Sequence, residues 1–459
     1  MEHLPSSKLV RRGEDIDEED GIRQRAAART PVYPLRRHVI SQAGIFCLGF
    51  HQGLFFPTIA YTITTDLGFG ARIVGVAFFI FMATAIACLS LLPRLLRILT
   101  PRSVFLWTCW IRVVSAGFYI AVPSAYAMFG STPALWILMV GRFLHGTSPV
   151  VQVCNLSVLG VRVSSEERPK WVVATTLSLS IGMLLGPQIG TFIATYAATN
   201  FAASATSGWL MLWMSLLLGL GFVVYYDDYE MLTAEEPPAV TDPEIRKLIL
   251  LYALMACFAF AGVLAMESIL GLIAFDLFDQ GPAEAWLVWA QLSVSIFLGS
   301  MAYNVFRKLL GSVGPCVLLL YVLSTAGGAL LINWANLSVG VSYGVFLVSL
   351  TMMMTGTLGC VIAYMATIVD KLPDSLITTG TSSIAVGQVI GRAIGPIITT
   401  WVYQQVKVSA PAESMLADNV ALLVQYGYVL ISIAIGVCNY SFVFVKEFRK
   451  NGGHATALV

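Results

Sequence analysis

The chain has 459 residues, 57% of them hydrophobic and only 12% charged, with a formal net charge of +1 and a mean hydropathy of +0.78. That balance excludes a soluble globular protein and describes a polytopic membrane protein in contact with the lipid bilayer. Near-zero charge, with no basic patch interleaved with aromatics, excludes a nucleic-acid partner.

Residues 1–37 are polar and mixed in charge, which predicts a disordered cytosolic tail and no cleavable signal peptide. Twelve apolar spans follow, near 39–62, 71–93, 103–123, 134–161, 171–196, 207–226, 248–275, 284–305, 313–332, 338–366, 376–402 and 420–444. Each has about 20 residues or more, the length that a bilayer requires. The fold class expected is therefore an all-α polytopic membrane protein with twelve transmembrane helices. Span 4 reads as one long helix carrying Arg142 and His145.

Loop cations set the orientation. Arg94, Arg97, Arg102, Arg162, Arg168, Lys170, Arg246, Lys247, Arg307, Lys308 and Lys371 lie on one side, with Lys446, Arg449 and Lys450 after the last span, against only Arg72 and Lys407 on the other. The positive-inside rule places the first set, and both termini, in the cytosol. After span 6 the acids and prolines of Tyr225–Lys247 predict a linker. The domains expected are a tail 1–37, a six-helix bundle 38–226, a linker 227–247, a second six-helix bundle 248–444 and a tail 445–459.

The halves are related. Ser180–Ile193 aligns without gaps on Val389–Val402, matching Gly182 with Gly391, Gly186 with Gly395 and Pro187 with Pro396, and one span earlier Gly146 corresponds to Gly356. Such a parallel repeat predicts two pseudo-symmetric bundles about an axis along the membrane normal. Gly146, Gly182, Gly186, Pro187, Gly190, Gly391, Gly395 and Pro396 are read as packing elements, because small-residue rows let helix backbones approach closely.

Charge inside the spans marks candidate function, since an ionisable group in hydrocarbon is retained where it faces protein or a water-filled cavity. Arg142 and His145 share one face of span 4 with Gly146 and Pro149. Gln388 and Arg392 share one face of span 11. Glu267, in span 7, is the carboxylate deepest in an apolar span, and a glutamate that alternately meets water and an arginine is a suitable proton carrier. A permanent Glu267–Arg392 salt bridge tethering spans 7 and 11 is the structural alternative. His51 and Gln52 on span 1 are further cavity candidates. Arg112 on span 3 is given no role beyond snorkelling toward the cytosol, and Asp276 is placed at the luminal surface. Asn336 opens a glycosylation sequon in a turn too short for use. The eight scattered cysteines read as packing residues, so neither a metal nor any other cofactor is expected.

Two six-helix halves, a central linker and a parallel repeat resemble the major facilitator superfamily over about residues 39–444. Arg142 and Gly146 resemble that family's R-x-x-x-G signature. Gly182, Gly186, Pro187 and Gly190 resemble the glycine-proline signature of its drug:proton antiporter branch, with Val173 where a further glycine stands. The loop SLLPRLLRILTPRS keeps Arg94, Arg97 and Arg102 but lacks the glycine and aspartate usual there. Ser164–Arg168 followed by the Gly186-Pro187 motif is similar to lysosomal and vacuolar members. The resemblance implies a secondary active transporter, not an enzyme, that moves a small solute by alternating access. Two arginines against one buried glutamate favour an anionic or zwitterionic solute, with protons as a coupling partner. A monomer in a lysosomal, vacuolar or plasma membrane is expected. A uniporter or channel-like conductance, and a non-transporting receptor or scaffold on the same fold, remain as alternative classes.

Overall fold

The computed structural model describes residues 34–163, 167–227, 242–280, 286–310, 313–332, 339–371, 374–409 and 416–451. The N-terminal tail, most of the linker and the Asn336 turn lie outside the described residues. Every regular element described is helical, as hydrocarbon requires: without water, peptide groups must be satisfied within each segment. Among the described residues, ten helical segments are long and apolar enough to cross a membrane: Leu35–Asp66, Ala71–Leu92, Pro101–Phe129, Ser131–Leu159, Leu177–Tyr196, Asn200–Tyr225, Pro243–Phe278, Val313–Leu331, Tyr343–Tyr364 and Asn419–Cys438. They are spans 1 to 7, 9, 10 and 12. Trp286–Leu310 and Asp374–Ser409 pack among them as spans 8 and 11, completing the twelve expected. Span 11 carries Gln388 and Arg392 amid threonines and glycines, which lowers its hydropathy.

Local chemistry sets several helix starts. Thr100 Oγ1 accepts from Ser103 N at 3.2 Å and Pro101 opens span 3, while Asp242 accepts from Glu244 N at 2.8 Å and Pro243 opens span 7. Both satisfy an orphan donor and place proline where its missing N–H costs nothing. Spans 3 and 4 are joined at Gly130, whose φ of 85° suits glycine.

Two spans that read as continuous helices are broken. Span 4 comprises Ser131–His145 and Val150–Arg162. Pro149 has no N–H, and its ring opposes the carbonyl four residues back, that of His145. The chain instead makes tightened turns, Thr147 N donating to Leu144 O at 3.1 Å and Ser148 N to His145 O at 3.0 Å. Span 1 comprises Leu35–Leu54, Phe56–Tyr61 with Pro57 in its first turn, and a π-helical turn Thr62–Asp66. Single π-turns inside helices recur at functional sites.

Within each half the most extensive contact of spans 1 and 7 is with spans 5 and 11 respectively, and glycines set both approaches. A Cβ on Gly182, Gly186 or Gly190 would collide with the carbonyls of Phe46, Phe50 and Leu54 in span 1, and one on Gly387, Gly391 or Gly395 with those of Ala253, Cys257 and Ala261 in span 7. Pro187 lies against Gly53, and the Pro396 carbonyl accepts from Thr400 Oγ1 at 2.6 Å. The aligned glycines therefore occupy equivalent helix crossings. The match of Gly146 with Gly356 does not extend to packing. Gly146 abuts Phe81 and Thr84 of span 2, whereas Gly356 abuts Leu320 and Ser324 of span 9.

Between the halves, span 2 packs on span 11 and span 5 on span 8. Tyr61 donates to the carbonyls of Gly271 at 2.7 Å and Gln280 at 3.2 Å, and Arg72 N donates to Gln404 Oε1 at 2.8 Å. All three bonds lie at the end opposite the basic loops, and they hold the halves together there. At the basic-loop end, Arg36 and Arg37 bind Asp227, joining the start of span 1 to the end of span 6. The Arg37 hydrogen bond, chiefly, holds the Asp227 carboxyl below its ordinary range.

Candidate functional site

The break in span 4 positions a cluster of basic and aromatic side chains. Arg142 is 1% exposed. Its Nε donates to the Ala77 carbonyl of span 2 at 3.4 Å, and its guanidinium lies 4.8 Å from the Phe81 ring centre and 5.2 Å from that of Phe78. One turn on, buried His145 meets Phe81 edge-on at 5.1 Å and has Tyr119 Oη 3.5 Å from Nδ1. Gly146 makes this possible, since only a residue without Cβ lets span 4 lie so close to Phe81.

Arg112 overturns its sequence assignment. It is fully buried, its Nε donating to Ser148 Oγ at 3.0 Å and Nη2 to the Ser148 carbonyl at 3.4 Å. Snorkelling therefore does not describe it. Ser148, in the turns that precede Pro149, presents its hydroxyl and its carbonyl to the guanidinium, the carbonyl also accepting from Val151 N at 3.2 Å. The available signal was the face shared by Arg112, Ser115 and Tyr119, all turned toward span 4.

His51 is fully buried in span 1 and neither ring nitrogen has a hydrogen-bond partner. Gln52 is buried beside it. Phe55, one turn beyond His51, stacks on Tyr119 at 4.2 Å and meets His145 edge-on at 6.0 Å. Spans 1, 3 and 4 thus converge on one buried cluster.

A second group lies in the other half. Glu267 is 4% exposed and its Oε2 has no partner. Arg392 reaches this region because Gly391 and Gly395 bring span 11 onto span 7, and its guanidinium lies 4.4 Å from the Phe260 ring centre. Glu267 and Arg392 stand on the two closely packed spans 7 and 11, yet among the described residues no ion pair joins them. The permanent salt bridge is therefore absent from this conformation. Gln388 is half-buried one turn before Arg392. Asp276, expected at the surface, binds Tyr403 and Lys407 of span 11. Gln425 of span 12, unmarked in the sequence reading, is fully buried with neither amide atom partnered.

Polar groups of spans 1, 3 and 4 cluster inside the first half and those of spans 7 and 11 inside the second, and hydrogen bonds join the halves at the end opposite the basic loops. Comparison with solved structures gives the same architecture. A mutant of the nucleoside transporter NupG aligns with a TM-score of 0.65 at 12% identity, covering 87% of this chain and 99% of that one. A bacterial homologue of the iron transporter ferroportin in an inward-facing state aligns at 0.65 and 12%, covering 88% and 98%. A bacterial homologue of the human lysosomal transporter Spinster, inward-facing and unoccupied, aligns at 0.56 and 12%, covering 90% and 97%. No curated protein matches the sequence. The profile of the Major Facilitator Superfamily matches residues 43–396. The chain belongs to the major facilitator superfamily and is an integral multi-pass membrane transporter.

Proposed function

We propose that this protein is a secondary active transporter that moves a small anionic or zwitterionic solute by alternating access, coupled to protons. The observation that carries the reading is the charge layout: buried arginines at a broken helix in one half, and in the other a buried glutamate and an arginine on packed helices without an ion pair between them. An inert scaffold gains nothing from such groups, which are costly in hydrocarbon. Arg142, His145, His51, Gln52, Gln388 and Arg392 line the solute path in this reading, and Glu267 carries the proton. The halves 38–226 and 248–444 rock about that site, joined by the linker 227–247, with tails 1–37 and 445–459. Contacts at the end opposite the basic loops support an inward-facing state, with both termini cytosolic by the positive-inside rule. The protein works as a monomer in a lysosomal, vacuolar or plasma membrane.

The test is exchange in proteoliposomes loaded with a labelled panel: inorganic phosphate, succinate, glutamate and lysine. Wild-type protein exchanges at least one anionic or zwitterionic member, and Arg392→Ala abolishes it. Exchange of lysine alone, or unchanged exchange in the Arg392→Ala protein, removes the assigned site. No flux of any probe favours the receptor or scaffold class.

A further inference from the structure

The buried interior of the first half holds two arginines and, among the described residues, no buried carboxylate. Between residues 34 and 226 the only acids are Asp66, Glu166 and Glu167. Asp66 ends span 1 and is bound by Asn200 at 3.1 Å, Glu167 stands at the N-cap of span 5, and Glu166 lies outside the described residues. The interior holds Arg112 and Arg142, at 0% and 1% exposure. Among the described residues no ion pair reaches either.

Both guanidiniums are held at one edge and free at another. Arg112 is anchored on Ser148 and Arg142 on Ala77, but Nη1 of each has no partner. His145 Nε2 and both nitrogens of His51 are also unpartnered. These five buried nitrogens belong to one cluster: Arg112, Ser115 and Tyr119 bond across to Ser148, Gly141 and His145, while Phe55 closes the side facing span 1 with His51 one turn below. His145, one turn beyond Arg142, meets Phe55 of span 1 edge-on at 6.0 Å and Tyr119 of span 3 at 6.2 Å. A buried charge without a counter-charge is strongly disfavoured, and imidazole and guanidinium N–H groups suit oxyanions.

We infer that Arg112, Arg142, His51 and His145 form an anion site within the first half, and that the group it takes is a doubly charged oxyanion, two negative charges against two guanidiniums. This rests on the transporter reading above and names the substrate class of its site, with Arg112 as the added residue. A phosphate monoester and a dicarboxylate share that chemistry.

The test uses purified full-length protein in detergent, with melting and calorimetric titration against inorganic phosphate, methyl phosphate, succinate and singly charged acetate. At least one dianion raises the melting temperature and binds about tenfold or more tighter than acetate. Methyl phosphate as the tighter ligand assigns a phosphoester, succinate a dicarboxylate. Arg112→Gln and Arg142→Gln each weaken that binding about tenfold or more, while Arg112→Lys, which keeps the charge, retains most of it. The ligand-free Arg112→Gln protein melts no lower than wild type, because it loses an uncompensated buried charge; lost binding is then not lost fold. Acetate binding as tightly as every dianion, no dianion binding, or wild-type dianion affinity in both glutamine variants overturns the site. Solute exchange in proteoliposomes alongside any of those results leaves the transporter reading standing.

Discussion

Arg392 of span 11 places its guanidinium 4.4 Å from the Phe260 ring centre on span 7, on the same helix as Glu267, with which it forms no ion pair. On the proton-coupled reading proposed above, loss of a proton from Glu267 draws Arg392 from the Phe260 ring toward the carboxylate, and protonation returns it.

Phe260→Leu removes that holding position. A desolvated cation–π contact is worth about 2 kcal/mol, so its loss favours the closed ion pair. Transport turnover falls about tenfold, while the melting temperature is unchanged or raised. Unchanged turnover in the proteoliposome assay would dismiss the ring as a functional element.

The Tyr61 hydroxyl joins the halves through the carbonyls of Gly271 and Gln280. Tyr61→Phe keeps the packing and removes the one hydroxyl proton that both carbonyls share, worth about 0.5–1.5 kcal/mol net. The equilibrium shifts about tenfold toward opening at the end opposite the basic loops. Spin labels at Arg72 and Gln404, paired in this structure, report the shift as a larger population at longer separation. An unaltered distance distribution would count against Tyr61 as a latch.

Gly391→Val tests the close approach of spans 7 and 11. Its Cβ would collide with the Cys257 carbonyl, and backbone cannot yield cheaply, so overpacking costs about 1–3 kcal/mol. Melting falls and Arg392 is displaced from Phe260, with solute exchange lost. Gly117, around which a new Cβ meets nothing, tolerates the same change. Equal melting temperatures for the two variants would show that the crossing does not depend on glycine.

Much of this architecture was legible because lipid imposes a simple rule: apolar runs of sufficient length mark spans, and the repeat of Gly182 and Gly186 in Gly391 and Gly395 marks equivalent crossings. The breaks in spans 1 and 4 were less visible, since Pro57 and Pro149 interrupt hydrogen bonding without interrupting hydropathy. Arg112 was misassigned for a related reason. Its partner is the Ser148 hydroxyl at the break, and hydropathy does not show which side chain a neighbouring helix turns toward an arginine. Gly356 matches Gly146 in sequence, yet the two face different neighbours, because a one-residue difference in helix phase turns a contact by about 100°. The contact between Tyr61 and Gly271 joins opposite halves and leaves no trace in either segment's composition.

Proton coupling through Glu267 is the central claim, and solute flux under an imposed pH gradient tests it most directly. Wild-type protein in proteoliposomes accumulates its solute against a concentration gradient when a pH gradient is imposed, and stops when the gradient is collapsed. The Glu267→Gln protein still exchanges solute at equal pH but accumulates none. Gradient-driven accumulation in the Glu267→Gln protein, or wild-type flux indifferent to the pH gradient, would contradict the account.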